Sequence, residues 1–273
     1  MQPGVANALD FLQGMLEDGK GYSAINSARS ALSAVIVSES EKKFGELPVV
    51  CQFMKGVYNI RPPEPRYSGV WDPQKVLEFL KTWSPARKLC LKLLTIKTVM
   101  LVLLTTGQRG QIINAMDVEN MNIENSKMQF FIKNQDLKQG RIGYKMQPVE
   151  LKAYPADKRI CVYNYMTVYL KRTLEIRGVV KKVFLTTVKP HKAVSRDTVS
   201  RWVRTVLKRA GIDTRVFGPG STRAASTSKA VQQGARIDEV LAAAGWSNET
   251  TFSKWYKKPV KRESQFAQKV LKK

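Results

Sequence analysis

Near the C-terminus, in "GWSNETTFSKWYKKPV" (245–260), one phenol, Tyr256, stands beside two indoles, Trp246 and Trp255, and three ammonium groups, Lys254, Lys257 and Lys258. Other cationic residues gather in three short stretches: Arg109 in "TTGQRGQI", Arg223 and Lys229 in "GPGSTRAASTSKA", and Lys133, Lys138 and Arg141 between positions 127 and 149. These residue types suit work on a phosphodiester. Breaking such a bond without a metal requires a nucleophile, neutralisation of charge around the pentacoordinate phosphorus, and a proton for the leaving oxygen. A tyrosine oxygen can attack and a lysine can deliver the proton. Two guanidiniums can clamp the non-bridging oxygens bidentately, as the point charge of a lysine cannot.

The composition favours an anionic partner. The 273 residues hold 46 Lys and Arg against 22 Asp and Glu, for a net charge of +24 and a pI near 10.0. Such a balance points to a polyanion, nucleic acid first. The charge is unevenly placed: residues 1–70 carry seven basic and seven acidic side chains, so the whole +24 lies in residues 71–273. A hydrophobic content of 43% is that of an ordinary globular chain. Three cysteines (Cys51, Cys90, Cys161) without short metal-ligand spacing, and a single histidine, His191, argue against a disulfide scaffold and against a His/Cys metal centre. The first residues, "MQPGVANALDFLQGML", lack the basic start and long apolar core of a secretory signal, which reads as an intracellular protein. The most apolar stretch, Leu89 to Leu104, is interrupted by Lys92 and Lys97 and reads as a buried helix, so no membrane partner is expected.

The elements that must position these residues fall into two groups. "RPPEPRYSGVWDP" (61–73) is too rich in proline for helix, and it places a boundary between residues 1–62, a linker at 63–70, and residues 71–273. Before it, "VANALDFLQGMLEDG", "YSAINSARSALSAVIV" and "PVVCQFMKGVYNI" have helical spacing. After it, "DPQKVLEFLKTW", the apolar stretch ending at "TTGQRG", "CVYNYMTVYLKRTLEIRG", "SRDTVSRWVRTVLKRAG", "TRAASTSKAVQQG" and "RIDEVLAAAG" predict helices, several closed by glycine. Two β-prone runs, "MQFFI" and "QPVEL", flank a polar, basic connection and predict a hairpin. The expected fold is mostly α with a small β-sheet, in two domains.

An Arg after a buried helix, a Lys on a hairpin, an Arg near a helix start, then a Trp and a Tyr ten residues apart: this order resembles the tyrosine recombinase family, which includes the phage integrases and the Xer and Cre recombinases. "INSARSALSAVI", "RPPEPRYSGVWD", "TTGQRGQ", "STRAASTSKA" and "AAGWSNETTFSKWY" are more narrowly similar to recombinases of DIRS-like and Ngaro-like retrotransposons, with Crypton elements as a cousin. The resemblance covers nearly the whole chain. Each piece alone is weak, and the ordered set is specific.

What the resemblance implies is a two-domain clamp on double-stranded DNA. Residues 1–62 would be the helical, SAM-like core-binding domain, and residues 71–273 the mixed α/β catalytic domain. The first is short for that part, which suggests that upstream sequence has been trimmed, and its neutrality implies a small share of the phosphate attraction. Tyr256 would be the nucleophile, forming a 3′-phosphotyrosine, with Arg109 and Arg223 as the phosphate clamp and Trp246 as a hydrogen-bond donor. Lys138 is preferred as the proton donor, with Lys133 and Arg141 as rivals that otherwise contact DNA. Lys229, Lys254, Lys257 and Lys258 would hold the DNA backbone.

Because the phosphotyrosine retains the bond energy, neither ATP, a metal nor another cofactor is expected. The implied function is that of a site-specific recombinase or integrase of a transposable element, working in the nucleus as a homotetramer on two duplexes. Relaxation of DNA in the manner of a type IB topoisomerase, or DNA binding by a catalytically weakened derivative, are the alternatives. The last residues, "KRESQFAQKVLKK", would form an amphipathic helix that docks on a neighbouring copy. The sequence departs from the family at two places: Gly220 stands three residues before Arg223 where a His is usual, and Ile112 stands where an acidic residue is often found. Lys229 or Ser221 would then supply the missing donor, unless Gly220 serves a positive φ angle in "FGPGST".

Overall fold

Helical spacing of apolar residues builds the first part of the chain. In a computed structural model describing residues 4–36, 42–64, 67–136, 147–246 and 249–261, apart from the side chains of Lys254, Trp255 and Lys261, α1 (Val5–Glu17), α2 (Tyr22–Val35) and α3 (Pro48–Ile60) occupy the first sixty residues. Proline at the first position of α3 forfeits no intrahelical hydrogen bond. Ala8, Leu12, Ile25, Phe44, Val50, Met54 and Val57 meet in one small core. Arg61 closes it from the far end, its Nη1 donating to the carbonyls of Leu16 (2.7 Å) and Lys20 (3.1 Å). The chain divides into two compact units, Met1–Arg66 and Tyr67–Lys273, and the division falls inside the proline-rich stretch.

The second unit begins with β1 (Val70–Trp71) and α4 (Pro73–Lys81), whose first turn is capped by Asp72 accepting from Gln74 N. Next comes α5 (Leu91–Thr106), buried along almost its whole length from Leu94 to Leu104, as a helix apolar on all sides must be. It is the axis of the large core. Gly107 ends it in the left-handed region (φ 62°), where an added Cβ would also stand 2.8 Å from Thr227 Cγ2, so both conformation and space demand glycine.

After α6 (Gly110–Ala115) comes the sheet, β2 (Met121–Ile123), β3 (Lys127–Phe130) and β4 (Val149–Lys152), antiparallel in that order. Met128 lies opposite Leu151 and Phe130 opposite Val149, and all four side chains face inward, as the two-residue period requires. The sequence predicts β3 and β4 but not β2, a three-residue strand whose middle residue is asparagine. The connection at 137–146, with Lys138 and Arg141, lies outside the described residues, as does the C-terminal segment 262–273 expected to dock on a neighbour.

The remaining elements are α7 (Val162–Thr173), α8 (Arg196–Arg209), α9 (Ser221–Gln232), α10 (Ile237–Ala244), α11 (Glu249–Trp255) and β5 (Val260–Lys261). The helix expected to continue through "LEIRG" stops at Thr173. Arg177 explains why: buried there, it donates to Thr173 Oγ1 (2.8 Å) and to the carbonyls of Lys182 (2.8 Å) and Val183 (3.2 Å), folding the chain back on itself. A second departure is β5, which pairs in parallel with β1, Val70 opposite Val260 and Trp71 opposite Lys261. Val70, expected to end the linker, is thus the first residue of a strand. Among the described residues no helix is long and apolar enough to cross a membrane, and no cluster of His, Cys, Asp and Glu could hold a metal ion.

Candidate active site

Three helix ends converge on Arg223. It sits in the first turn of α9 and is 4% exposed, and its Nη1 donates to Gly107 O, at the end of α5 (2.9 Å), and to Ala244 O, at the end of α10 (2.7 Å). Helix C-termini leave carbonyls without intrahelical partners and carry partial negative charge, so a buried guanidinium answers both needs. The small side chains Ala224, Ala225 and Ser228 that follow it are buried and let α9 approach its neighbours closely. Gln108 adds a second clip, its Nε2 donating to Ala243 O at 2.5 Å.

Gly245 ends α10 in the left-handed region (φ 70°) and turns the chain so that Trp246 packs under Arg223. The guanidinium carbon stands 3.6 Å from the centroid of the Trp246 ring and 5.5 Å from that of Tyr256. The two rings are themselves 4.6 Å apart, and Phe252, fully buried, lies 5.1 Å from Trp246. A cation this close to an indole face is held by the ring quadrupole. Trp246 Nε1 is buried and has no hydrogen-bond partner among the described residues. Tyr256 follows α11 directly and is half-buried, its N–H donating to Phe252 O (2.8 Å) and its carbonyl accepting from Ser228 Oγ (2.7 Å).

The structure therefore brings Arg223, Trp246 and Tyr256 together. Arg109 is the N-cap of α6, exposed, and two residues beyond the Gly107 carbonyl that Arg223 holds. Lys133 is exposed just after β3, and its rivals Lys138 and Arg141 lie outside the described residues. Lys229 faces Asp72, 3.1 Å away, and thus joins α9 to the cap of α4. Lys257 is exposed and Lys258 half-buried, while the side chain of Lys254 is outside the description.

Gly220 has φ −65° and ψ −19°, ordinary for any residue, and nothing lies within 4 Å of a Cβ built there. A positive φ is not the reason for its glycine. Ser221, considered as a substitute donor, accepts from Trp71 Nε1 (2.9 Å) and donates to Gly218 O (2.7 Å). His191 is held elsewhere, its Nδ1 2.8 Å from Thr186 O.

The sequence matches the phage integrase family over residues 72–263. The chain belongs to that family. Among solved structures this integrase-family chain is similar to XerH site-specific recombinase bound to a difH substrate, with a TM-score of 0.59 at 15% identity over 98% of this chain and 70% of that one. It is similar also to the Tn1549 transposon integrase in complex with circular intermediate DNA (TM-score 0.56, 14% identity, 99% and 85% covered). A lambda integrase dimer bound to a COC′ core site gives a TM-score of 0.55 at 18% identity, with 96% and 82% covered. At these identities the likeness is one of fold. No curated protein matches the sequence.

Two features of this integrase-family chain escape the sequence reading. Gln108 looks like any polar loop residue beside Arg109, and its role depends on a carbonyl 135 positions away. The outer face of α8 is a basic stripe, Arg201, Arg204 and Lys208, all exposed, opposite the buried Val199, Trp202, Val203, Val206 and Leu207. Here a signal existed: the helical period of the apolar residues in "TVSRWVRTVLKR" leaves the cations on one side.

Proposed function

We propose that the protein is a site-specific DNA recombinase or integrase of a transposable element, of the DIRS or Ngaro kind and acting in the nucleus, that cuts and rejoins DNA through Tyr256. The observation that carries this reading is the cluster of Arg223, Trp246 and Tyr256 at a junction of helix ends, within a strongly basic unit. Residues 1–62 serve as the core-binding half of a clamp and residues 71–273 as the catalytic half.

In this mechanism a DNA phosphate lies against Arg223 and Arg109, whose guanidiniums take the charge that builds on the non-bridging oxygens. The buried indole N–H of Trp246 donates to one of these oxygens. The phenol of Tyr256 gives its proton to water as its oxygen attacks phosphorus, the bond to the 5′ oxygen breaks, and Lys138 protonates that oxygen as it leaves. The 3′-phosphotyrosine is then open to the 5′ hydroxyl of a second strand. Four copies on two duplexes would complete an exchange. Arg201, Arg204, Lys208, Lys133, Lys257 and Lys258 supply phosphate contacts outside the reaction centre.

Covalent trapping tests the reading. A pool of random-sequence duplexes, nicked so that the short product strand diffuses away, is incubated with the protein, and SDS-resistant adducts are isolated and sequenced. The wild type should accumulate adducts and Tyr256→Phe none, since phenylalanine keeps the packing and lacks the oxygen. Adducts formed equally by Tyr256→Phe would overturn the assignment.

A further inference from the structure

The mechanism uses the hydroxyl of Tyr256 but leaves open what holds its backbone. On the N-terminal side α11 does so, since the amides of Tyr256 and Lys257 both donate to Phe252 O, at 2.8 and 2.9 Å. On the C-terminal side the chain has left the helix. There, ahead of the pairing of Pro259 with β1, a side chain of α9 takes over: Ser228, 2% exposed, donates its Oγ proton to Tyr256 O (2.7 Å) and accepts from Lys258 N (3.0 Å). One hydroxyl thus brackets the backbone on both sides of Lys257. A serine hydroxyl has one proton to give and lone pairs to receive, and Ser228 uses both functions.

Ser228 stands five residues after Arg223 on the same helix. The group that would neutralise the phosphate and the group that fixes the nucleophile's backbone are therefore carried by one rigid element. Attack needs the reacting atoms about 3–3.5 Å apart and aligned, and a misplacement of roughly 1 Å can cost about a hundredfold in rate. A flexible link between clamp and nucleophile could not keep that register. A hydroxyl on the clamp's own helix can.

We propose that Ser228 is a positioning residue for Tyr256, setting the distance between the phenolic oxygen and the phosphate held by Arg223. The proposal rests on the recombinase reading above. It assigns Ser228 no contact with DNA and no proton in the reaction.

The test is single-turnover cleavage of a nicked duplex recovered from the wild-type trapping, with Ser228→Ala and Ser228→Cys beside the wild type and Tyr256→Phe. Ser228→Ala should cleave about ten- to a hundredfold more slowly at saturating protein, with the half-saturating concentration unchanged. Ser228→Cys keeps a weaker hydrogen bond on a somewhat larger atom, and should fall between. The slowing should persist on a substrate whose 5′ bridging oxygen is replaced by sulfur, which leaves without a proton, because the defect lies in attack and not in departure. Melting temperatures and the fraction of molecules trapped at completion are measured for each variant.

A loss confined to melting temperature and trapped fraction, with the rate constant intact, would make Ser228 a purely structural residue and overturn the proposal. So would a Ser228→Ala rate within twofold of wild type, or a slowing abolished by sulfur substitution. In each of these cases the wild type still forms adducts and Tyr256→Phe does not, so the recombinase reading survives. If the wild type forms no adduct with any duplex, both fall together.

Discussion

Lys97 and Arg223 are both buried cations of the second unit, and they dispose of their charge in different ways. Lys97, in the middle of α5, is completely enclosed: its three N–H groups are shared among four acceptors, the carbonyls of Leu80, Trp83 and Arg159 and Tyr165 Oη, each 2.7 Å from Nζ, which stands 4.0 Å from the centroid of the Tyr165 ring. Two stretches remote from α5 in sequence, 80–83 and 159–165, are tied to it by one ammonium group. Burial pulls Lys97 down from the ordinary lysine value to about 7, the charge of Asp157 opposing this and that of Arg159 assisting. Arg223 also gathers carbonyls, those at the ends of α5 and α10, and its charge is spread against the faces of Trp246 and Tyr256. Burying either cation is costly. Around Lys97 the compensation comes entirely from groups of the fold. Around Arg223 part of it comes from backbone carbonyls and part from the rings of residues that would do the chemistry, which is what separates a rivet from a site.

The comparison can be broken by exchanging what each cation offers. Arg223→Lys keeps the charge but loses the planar fork, and single-turnover cleavage should fall about a hundred- to a thousandfold at temperatures where the variant remains folded. A rate within tenfold of wild type would place Arg223 in the same class as Lys97.

Lys97→Met should do the opposite. Leaving buried carbonyls without a donor costs about 2–4 kcal/mol, which for a unit of this size lowers the melting temperature by about 5–15 °C. Cleavage well below that temperature should stay within threefold. The pH dependence supplies a sign. With the folded-state value near 7 and an unfolded lysine near 10.4, the unfolded chain binds more protons between the two, so the contribution of Lys97 to stability rises as pH rises from 7 to 9. Melting curves of wild type and Lys97→Met across that window should show the rise in the wild type and not in the variant. An equal response in both would mean that another group is titrating.

The smallest effect expected is a gain. Position 220 has an ordinary φ and open space around it, so Gly220→His can add a donor one turn before Arg223 without strain. Cleavage should quicken about tenfold at an unchanged melting temperature. A slower variant that melts normally would show that the space beside Arg223 is already taken in the complex with DNA.

What could be read in the sequence follows from what each residue depends on. The helix that leads to Arg109, the one that carries Arg223 and the one that ends before Trp246 were legible, because apolar period, glycine stops and chain order are local facts, whereas the short α6 and α11 were not. The fold class followed from the same signals. Lys97 was visible only as an interruption of an apolar run. Its purpose depends on carbonyls of two distant segments, 80–83 and 159, which no local pattern encodes. Ser228 and Gln108 were hidden for the same reason: a serine among small residues and a glutamine in a loop look alike whether or not they hold another part of the chain. Gly220 left two accounts open, and its φ of −65° removes the one that invoked backbone conformation. The short strands β1 and β5, two residues each, offer no period to detect.

That last pair bears on the covalent state proposed above. The polypeptide enters the second unit through β1 and runs on from Tyr256 into β5, and the two strands lie side by side in the same direction, with Val70 N donating to Pro259 O at 2.9 Å. A DNA strand joined to Tyr256 would pull on the polypeptide as the duplex ends swing between partners. On one side of the attachment point stands α11, only seven residues long, and on the other the pairing with β1. Trp71, the neighbouring residue of β1, is anchored through its indole to Ser221 at the head of α9. Mechanical load from the DNA would thus pass into the entry strand and the helix bearing Arg223, and would not hang from α11 alone.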